Sequence, residues 1–206
     1  MIGIHEPDVV FTDLGLAVLG SYFGWRLRRV RGASVMAGLA SAAFWGAIFH
    51  GFFPDGTATP LGFVAWLAVA FSILVVAASL LDMALSLLLA RQTASAARVI
   101  VVAYGLVFLA VILFIDESFA TVVLLYGPVL MFALLAAARE EVRARSRTWG
   151  LVALGLALSA TAALAQRAGV ALHAAYFDHN ATYHLIQAVA LAVLYVGFAR
   201  TRLDAR

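Results

Sequence analysis

Leu61 to Ala90 reads LGFVAWLAVAFSILVVAASLLDMALSLLLA, and Asp82 is the only ionisable residue in it. A helix rises about 1.5 Å per residue, so roughly 20 mostly apolar residues cross a hydrocarbon core about 30 Å thick. This run is longer than that and must tilt, or extend past the lipid at one end. Working outward, six shorter runs of the same texture surround it. They are roughly Val9–Leu27 and Ala33–Phe53 on one side, then Val99–Ile115, Phe119–Ala138, Trp149–Val170 and Ala181–Ala199 on the other. The expected fold is an all-α integral membrane bundle of seven transmembrane helices, one domain over residues 1–206. Its short connections make consecutive helices neighbours.

Composition supports that reading. Of 206 residues, 65% are hydrophobic and only 12% charged, and mean hydropathy is +1.00. So thin a charged shell cannot cover that much apolar surface in water. The 14 basic residues are all arginine, which excludes an amine nucleophile or a Schiff base. Cysteine is absent, so disulfides, thiolate catalysis and iron–sulfur ligation are excluded. The pI near 9.7 does not point to nucleic acid, because the arginines flank apolar runs and act on topology. Met1 to Val10 carries Glu6 and Asp8 and no arginine or lysine. A cleavable leader needs a basic start, so the first run is expected to remain as a span.

The arginines also orient the bundle. Arg26, Arg28, Arg29 and Arg31 fill the first connection, Arg91 and Arg98 bracket the third, Arg139, Arg143, Arg145 and Arg147 the fifth, and Arg200, Arg202 and Arg206 follow the last span. Acids occupy the alternate side: Glu6, Asp8, Asp55, Asp116, Glu117 and Asp178. Positive charge stays cytoplasmic, which predicts an outer N-terminus and a cytoplasmic C-terminus. Gly127-Pro128 predicts a kink in the fifth helix, since proline lacks the donor that closes the backbone bond there.

Ionisable groups inside a span cost several kcal/mol, about 2.5–3.5 on insertion scales, unless paired or hydrated. Asp13, His50, Asp82, Arg167, His179 and His184 are of this kind. All but Asp82 fall in one outer layer, contributed by four different helices, which predicts a convergent polar cavity. The stretch Asp178-His179-Asn180-Ala181-Thr182-Tyr183-His184-Leu185-Ile186-Gln187 opens the last span. Asn180, His184 and Gln187 share one face by their i, i+4, i+7 spacing. His179 stands about 140° from His184 at about 100° per residue, so it joins that face only if the helix starts late, with Asn180 as N-cap.

Three imidazoles, or two and a carboxylate, with one open position make a catalytic zinc site. His50, His184 and either His179 or Asp13 are the candidate ligands. Asp13 is also the candidate catalytic carboxylate, as a ligand or as the group that orients a ligand histidine, with a salt bridge to Arg167 as its alternative. Arg167, Asn180, Gln187, Tyr183 and Asp178 are the candidates for holding a substrate or supporting the ligands. Asp82, on a stripe with Ser72, Ser79 and Ser86, is expected to pair with an arginine of the cytoplasmic end. His173 is expected at the interface and His5 in the tail.

Seven helices, a histidine late in span two and a histidine motif opening span seven resemble the alkaline ceramidase / progestin-and-adiponectin-receptor superfamily. That resemblance implies a zinc-dependent membrane hydrolase of lipid amides or esters, with His50 and His184 matching ligand positions. Where that superfamily has Ser-x-x-x-His this chain has Gly46 four before His50, and Asn180 stands four before His184. The groups Glu6-Pro7, Thr12-Asp13, His50-Gly51, His179-Asn180 and Tyr183-His184 are also similar to a bacterial membrane family related to it, which places the chain in a bacterial inner membrane. Lipids are then its surroundings, and a lipid or small molecule its substrate. Two other functions fit the same residues: a membrane ligand-binding or sensor protein without turnover, and electron transfer through haem held by His50 and His184.

Overall fold

A computed structural model describes residues 4–145, 147–173 and 176–204. They form seven α-helices: α1 (Pro7–Arg26), α2 (Gly32–Phe52), α3 (Pro60–Leu88), α4 (Ala94–Phe114), α5 (Phe119–Ala144), α6 (Arg147–Arg167) and α7 (His179–Asp204). No strand occurs among the described residues, only an isolated bridge between His173 and Phe177 in the connection before α7. Six helices, α2 to α7, are long and apolar enough to cross a membrane. The exception is α1, which carries Asp8, Thr12, Asp13 and Arg26.

The helix starts follow from local chemistry. Pro7 and Pro60 open α1 and α3 at positions where no backbone donor is needed. The Thr59 hydroxyl accepts from Gly62 N–H at 3.1 Å, and Ser118 caps α5 by accepting from Thr121 N–H. The start of α7 corrects one expectation. Asp178 Oδ1 accepts from Ala181 N–H at 2.8 Å, so Asp178 is the cap, the helix begins at His179, and Asn180 lies inside the first turn. Asp and Asn cap about equally well, and the backbone enters the helix at His179, which puts the Asp178 carboxylate, not the Asn180 amide, at the capping position. The fifth helix runs unbroken through Gly127-Pro128 and on to Ala144, beyond the expected Ala138.

Packing proceeds α1–α2–α3–α5–α6–α7, and α7 returns against α1. The chain departs from the expectation that every consecutive pair is adjacent: α5 packs on α3 and α6 and barely touches α4, which lies outside, against α3. Phe108 and Ile112 of α4 seat in a small cluster with Trp66, Val69, Leu74 and Val122. Its other faces show exposed Val99, Val102 and Leu106, a surface suited to lipid. The main core lies between α1, α2, α3, α5, α6 and α7, around Met36, Leu80, Ala133, Leu156 and Leu194. Gly155 lets α6 and α7 touch, since a Cβ there would meet Leu194 Cγ at 2.5 Å.

The two ends of the bundle differ. One gathers the arginine-bearing termini, where Arg31 reaches Asp82 at 3.6 Å, the pairing expected for Asp82. At the other, His5 N–H donates to Gly51 O at 3.1 Å and Trp66 Nε1–H to Glu117 O at 2.6 Å. This second end holds the site.

Candidate site at the α1–α7 seam

Asp13 and His184 meet in the seam between α1 and α7, both buried, with Oδ1 and Nε2 3.2 Å apart. The other ring nitrogen, Nδ1, lies 2.8 Å from Thr12 Oγ1. That hydroxyl also lies 2.8 Å from Asp8 O and 3.0 Å from Val9 O, where it donates back to its own helix. A hydroxyl has one proton. When Thr12 donates to the backbone it accepts from Nδ1–H, which leaves the Nε2 lone pair facing a carboxylate oxygen. A proton must then sit between His184 and Asp13. When Thr12 donates to Nδ1 instead, Nε2–H donates to Asp13. The imidazole is therefore a two-state bridge between neighbouring residues of one helix.

Asp13 reaches this position because α2 offers it space. A Cβ on Gly46 would lie 2.8 Å from Asp13 Oδ2, so the carboxylate rests on bare backbone one turn before His50. The position at which the resembled superfamily carries serine is thus used here to admit a carboxylate from α1.

His50 is paired separately. Its Nδ1 lies 2.6 Å from Glu6 Oε2, with both side chains about one-third exposed, at 32% and 37%. Glu6 is held for this by a left-handed backbone, φ 47°, immediately before Pro7. Asp8 accepts from Asp178 N–H at 3.1 Å, tying the start of α1 to the cap of α7. On the other side of α7, Gln166 Nε2 donates to Asn180 Oδ1 at 2.7 Å, and Gln187 Nε2 to Ser159 Oγ at 3.1 Å.

The inward face of Asn180, His184 and Gln187 is present, but the three do not converge on one point. Asn180 and Gln187 turn to α6, His184 to α1. Tyr183 packs its ring edge-on to His184, centroids 5.2 Å apart. His179 is 46% exposed, its Nδ1 3.9 Å from Asp178 Oδ2, because a helix that starts at His179 points that side chain away from His184. Arg167 is exposed at the end of α6, and Asp13 pairs with His184 in place of it.

The zinc implied by the resemblance needs three ligands around one point. Among the described residues no three His, Asp or Glu side chains form such a group. His184 has both nitrogens engaged by α1 and His50 is drawn to Glu6, so the two expected ligands belong to two separate pairs. The arrangement does not fit the metal. Glu6, Asp8 and Thr12 were not singled out by their own chemistry in the sequence. The available signal was spacing, since Asp8 and Thr12 stand four apart on one face of α1.

A family model matches residues 9–203, nearly the whole chain. The chain belongs to a family of unknown function, DUF6962. The DUF6962 match contains Thr12, Asp13, Gly46, His50 and His184, whereas Glu6 and Asp8 precede it. No curated protein and no solved structure matches the chain.

Proposed function

We propose that the chain is a seven-span membrane protein, N-terminus outside and C-terminus cytoplasmic, that binds a polar small molecule or lipid headgroup in its outer layer without hydrolysing it. In this reading α1 is the seventh span, its polar residues facing α2 and α7 and its apolar Phe11, Val18 and Tyr22 facing lipid. Arginine placement supports the orientation.

The observation that carries the functional reading is the buried Asp13–His184 pair bridged to Thr12. Helices in a membrane are held adequately by neutral hydrogen bonds of about 1 kcal/mol, as α6 and α7 are by Ser159–Gln187. An ionisable pair in the same setting is costlier than the task of joining helices requires, which points to a site. A ligand that engages Asp13 or His184 competes with the contact joining α1 to α7. Binding would therefore be felt in the seam, as a sensor requires.

The test is the protein purified in mild detergent and extracted for mass spectrometry, with metal analysis and an absorbance spectrum beside it. A bound molecule retained by the unaltered chain and by Ser159→Ala, but lost from Asp13→Asn and His184→Gln, is the expected result. Stoichiometric zinc with release of product from labelled lipid amides or esters would overturn it in favour of a hydrolase. A Soret band would overturn it in favour of haem.

A further inference from the structure

Away from the polar seam, α1 and α2 leave a groove of about 770 Å³ on the outside of the bundle. Its walls are mostly apolar: Leu14, Val18 and Trp25 on α1, Ala37 and Phe44 on α2, with Ser21 exposed at its edge. From Leu14 to Trp25 it runs about 16 Å, at roughly 1.5 Å per residue. That is half of a hydrocarbon core about 30 Å thick, the depth of one leaflet. That depth fits a single acyl chain, and the arginines at one end of the slot, which an apolar helix would leave without a counter-charge, favour a lipid as its occupant.

The end at Trp25 is built for an anion. Arg28 lies over the Trp25 ring, 5.3 Å from its centroid, and Arg26 over Tyr22 at 5.7 Å. Arg26 also donates to Tyr22 Oη at 2.8 Å, and Arg28 to Trp25 O at 3.3 Å. Trp25 lines the groove, so its contact with Arg28 brings that guanidinium to the groove's end. Arg26, held on Tyr22 just outside the lining, is one residue along the chain from Trp25, and both arginines are exposed. Arg29 beside them adds charge, whereas Arg31 is committed to Asp82. An apolar slot one leaflet deep, with Arg28 at its end and Arg26 close by, fits an acyl chain attached to a phosphate.

We propose that the α1–α2 groove is a binding site for an anionic phospholipid, its acyl chain lying along Val18 and Ala37 and its phosphate held by Arg26 and Arg28. The site is independent of the ligand of the outer seam and rests only on α1 lying in the membrane. Because arginine is charged at all ordinary pH and forks onto phosphate oxygens, the preference is for charge and shape together.

The experiment uses the full chain in phosphatidylcholine vesicles mixed equally with phosphatidylglycerol, one or the other lipid carrying bromine on its acyl chains. Bromine quenches tryptophan on contact. A chain retaining only Trp25, with Trp45, Trp66 and Trp149 replaced by Phe, reports the groove. Brominated phosphatidylglycerol is expected to quench Trp25 more than brominated phosphatidylcholine does. Each arginine near a membrane surface contributes about a fivefold preference, so Arg28→Gln lowers it by about that factor. Equal quenching by the two lipids overturns the proposal. No quenching by either would show instead that α1 is not in the membrane.

Native mass spectrometry of the unaltered chain gives a second readout that needs no tryptophan replacement. Retained phosphatidylglycerol is expected, and Ala37→Phe, which fills the groove at an exposed position, should remove it with the arginines intact. Retention surviving Ala37→Phe would mean general attraction to an arginine-rich surface and would overturn the site.

Discussion

The helix α7 is held from both sides, by different chemistry. Against α6 it uses neutral pairs, Asn180 with Gln166 and Gln187 with Ser159, beside close backbone approach at Gly155. Against α1 it uses ionisable groups: His184 between Thr12 and Asp13, and the Asp178 N–H on Asp8. The α6 seam is tight and carries no ionisable group in its hydrogen bonds, which join neutral amides and a hydroxyl. The α1 seam has two proton arrangements and is completed by residues from the start of a polar helix. The comparison separates two kinds of contact within one helix: α7 meets α6 through neutral groups and α1 through ionisable ones.

Breaking the ionisable seam should have the largest effect. Removing one partner of a buried pair leaves the other unpaired, so His184→Ala should lose about 3–5 kcal/mol of stability. Changing both partners together, Asp13→Asn with His184→Gln, restores a neutral hydrogen bond. It should cost clearly less than the two single changes summed, a coupling read by a double-mutant cycle of unfolding in detergent. Additive losses would show that the two side chains do not act as a pair.

Gly46→Ala tests the space beneath Asp13. The added methyl meets the carboxylate at 2.8 Å, and overpacking of that kind costs about 1–3 kcal/mol. Most of that penalty should vanish in an Asp13→Ala background. The neutral seam should respond less: Ser159→Ala is expected to cost about 0.5–1.5 kcal/mol, without affecting whatever the outer site retains. A larger loss there than at His184 would erase the contrast between the seams.

Two smaller effects concern the ends of the bundle. Arg31→Gln removes an exposed pair with Asp82. It should change stability by at most about 1 kcal/mol, less in high salt. At the opposite end, hydrogen bonds from the Thr121 hydroxyl first, then from the Ser118 hydroxyl and N–H, hold the Asp116 carboxyl below its ordinary range. A lowered folded value means the contribution is present above the ordinary carboxylate pKa and is lost as pH falls through the folded value. Amide protection at the start of α5 should fall along that acid limb, and Asp116→Asn should make it independent of pH.

Much of the fold is legible in the sequence because lipid imposes a simple rule: each crossing needs a long apolar helix with every backbone group bonded internally. Helix limits at Gly32–Phe52 and Pro60–Leu88 differ from the apolar runs by a residue or two. The polar layer is legible for the same reason, since Asp13 and His184 stand out in apolar surroundings. Their partners are not legible. The distance in sequence from Thr12 to His184 contains no information about contact, and Glu6 and Asp8 read only as acids of the outer side before the first span. Asn180 as a cap was a plausible local choice that Asp178 won, because both are good caps and only the backbone path selects between them. The outer position of α4 was equally hidden, since a helix apolar on all faces suits a core or a lipid surface alike.

By itself, the sequence determined seven helices, the arginine-rich and acid-rich sides that their ends define, and a layer of ionisable groups near one end. These follow from hydropathy and charge, which act residue by residue. Only the tertiary structure decided that His184 bridges Thr12 and Asp13, that His50 belongs to Glu6, and that Asn180 and Gln187 serve α6. Pairing depends on how α1 returns against α7 and on the space left at Gly46, and those are properties of packed helices and not of any segment alone.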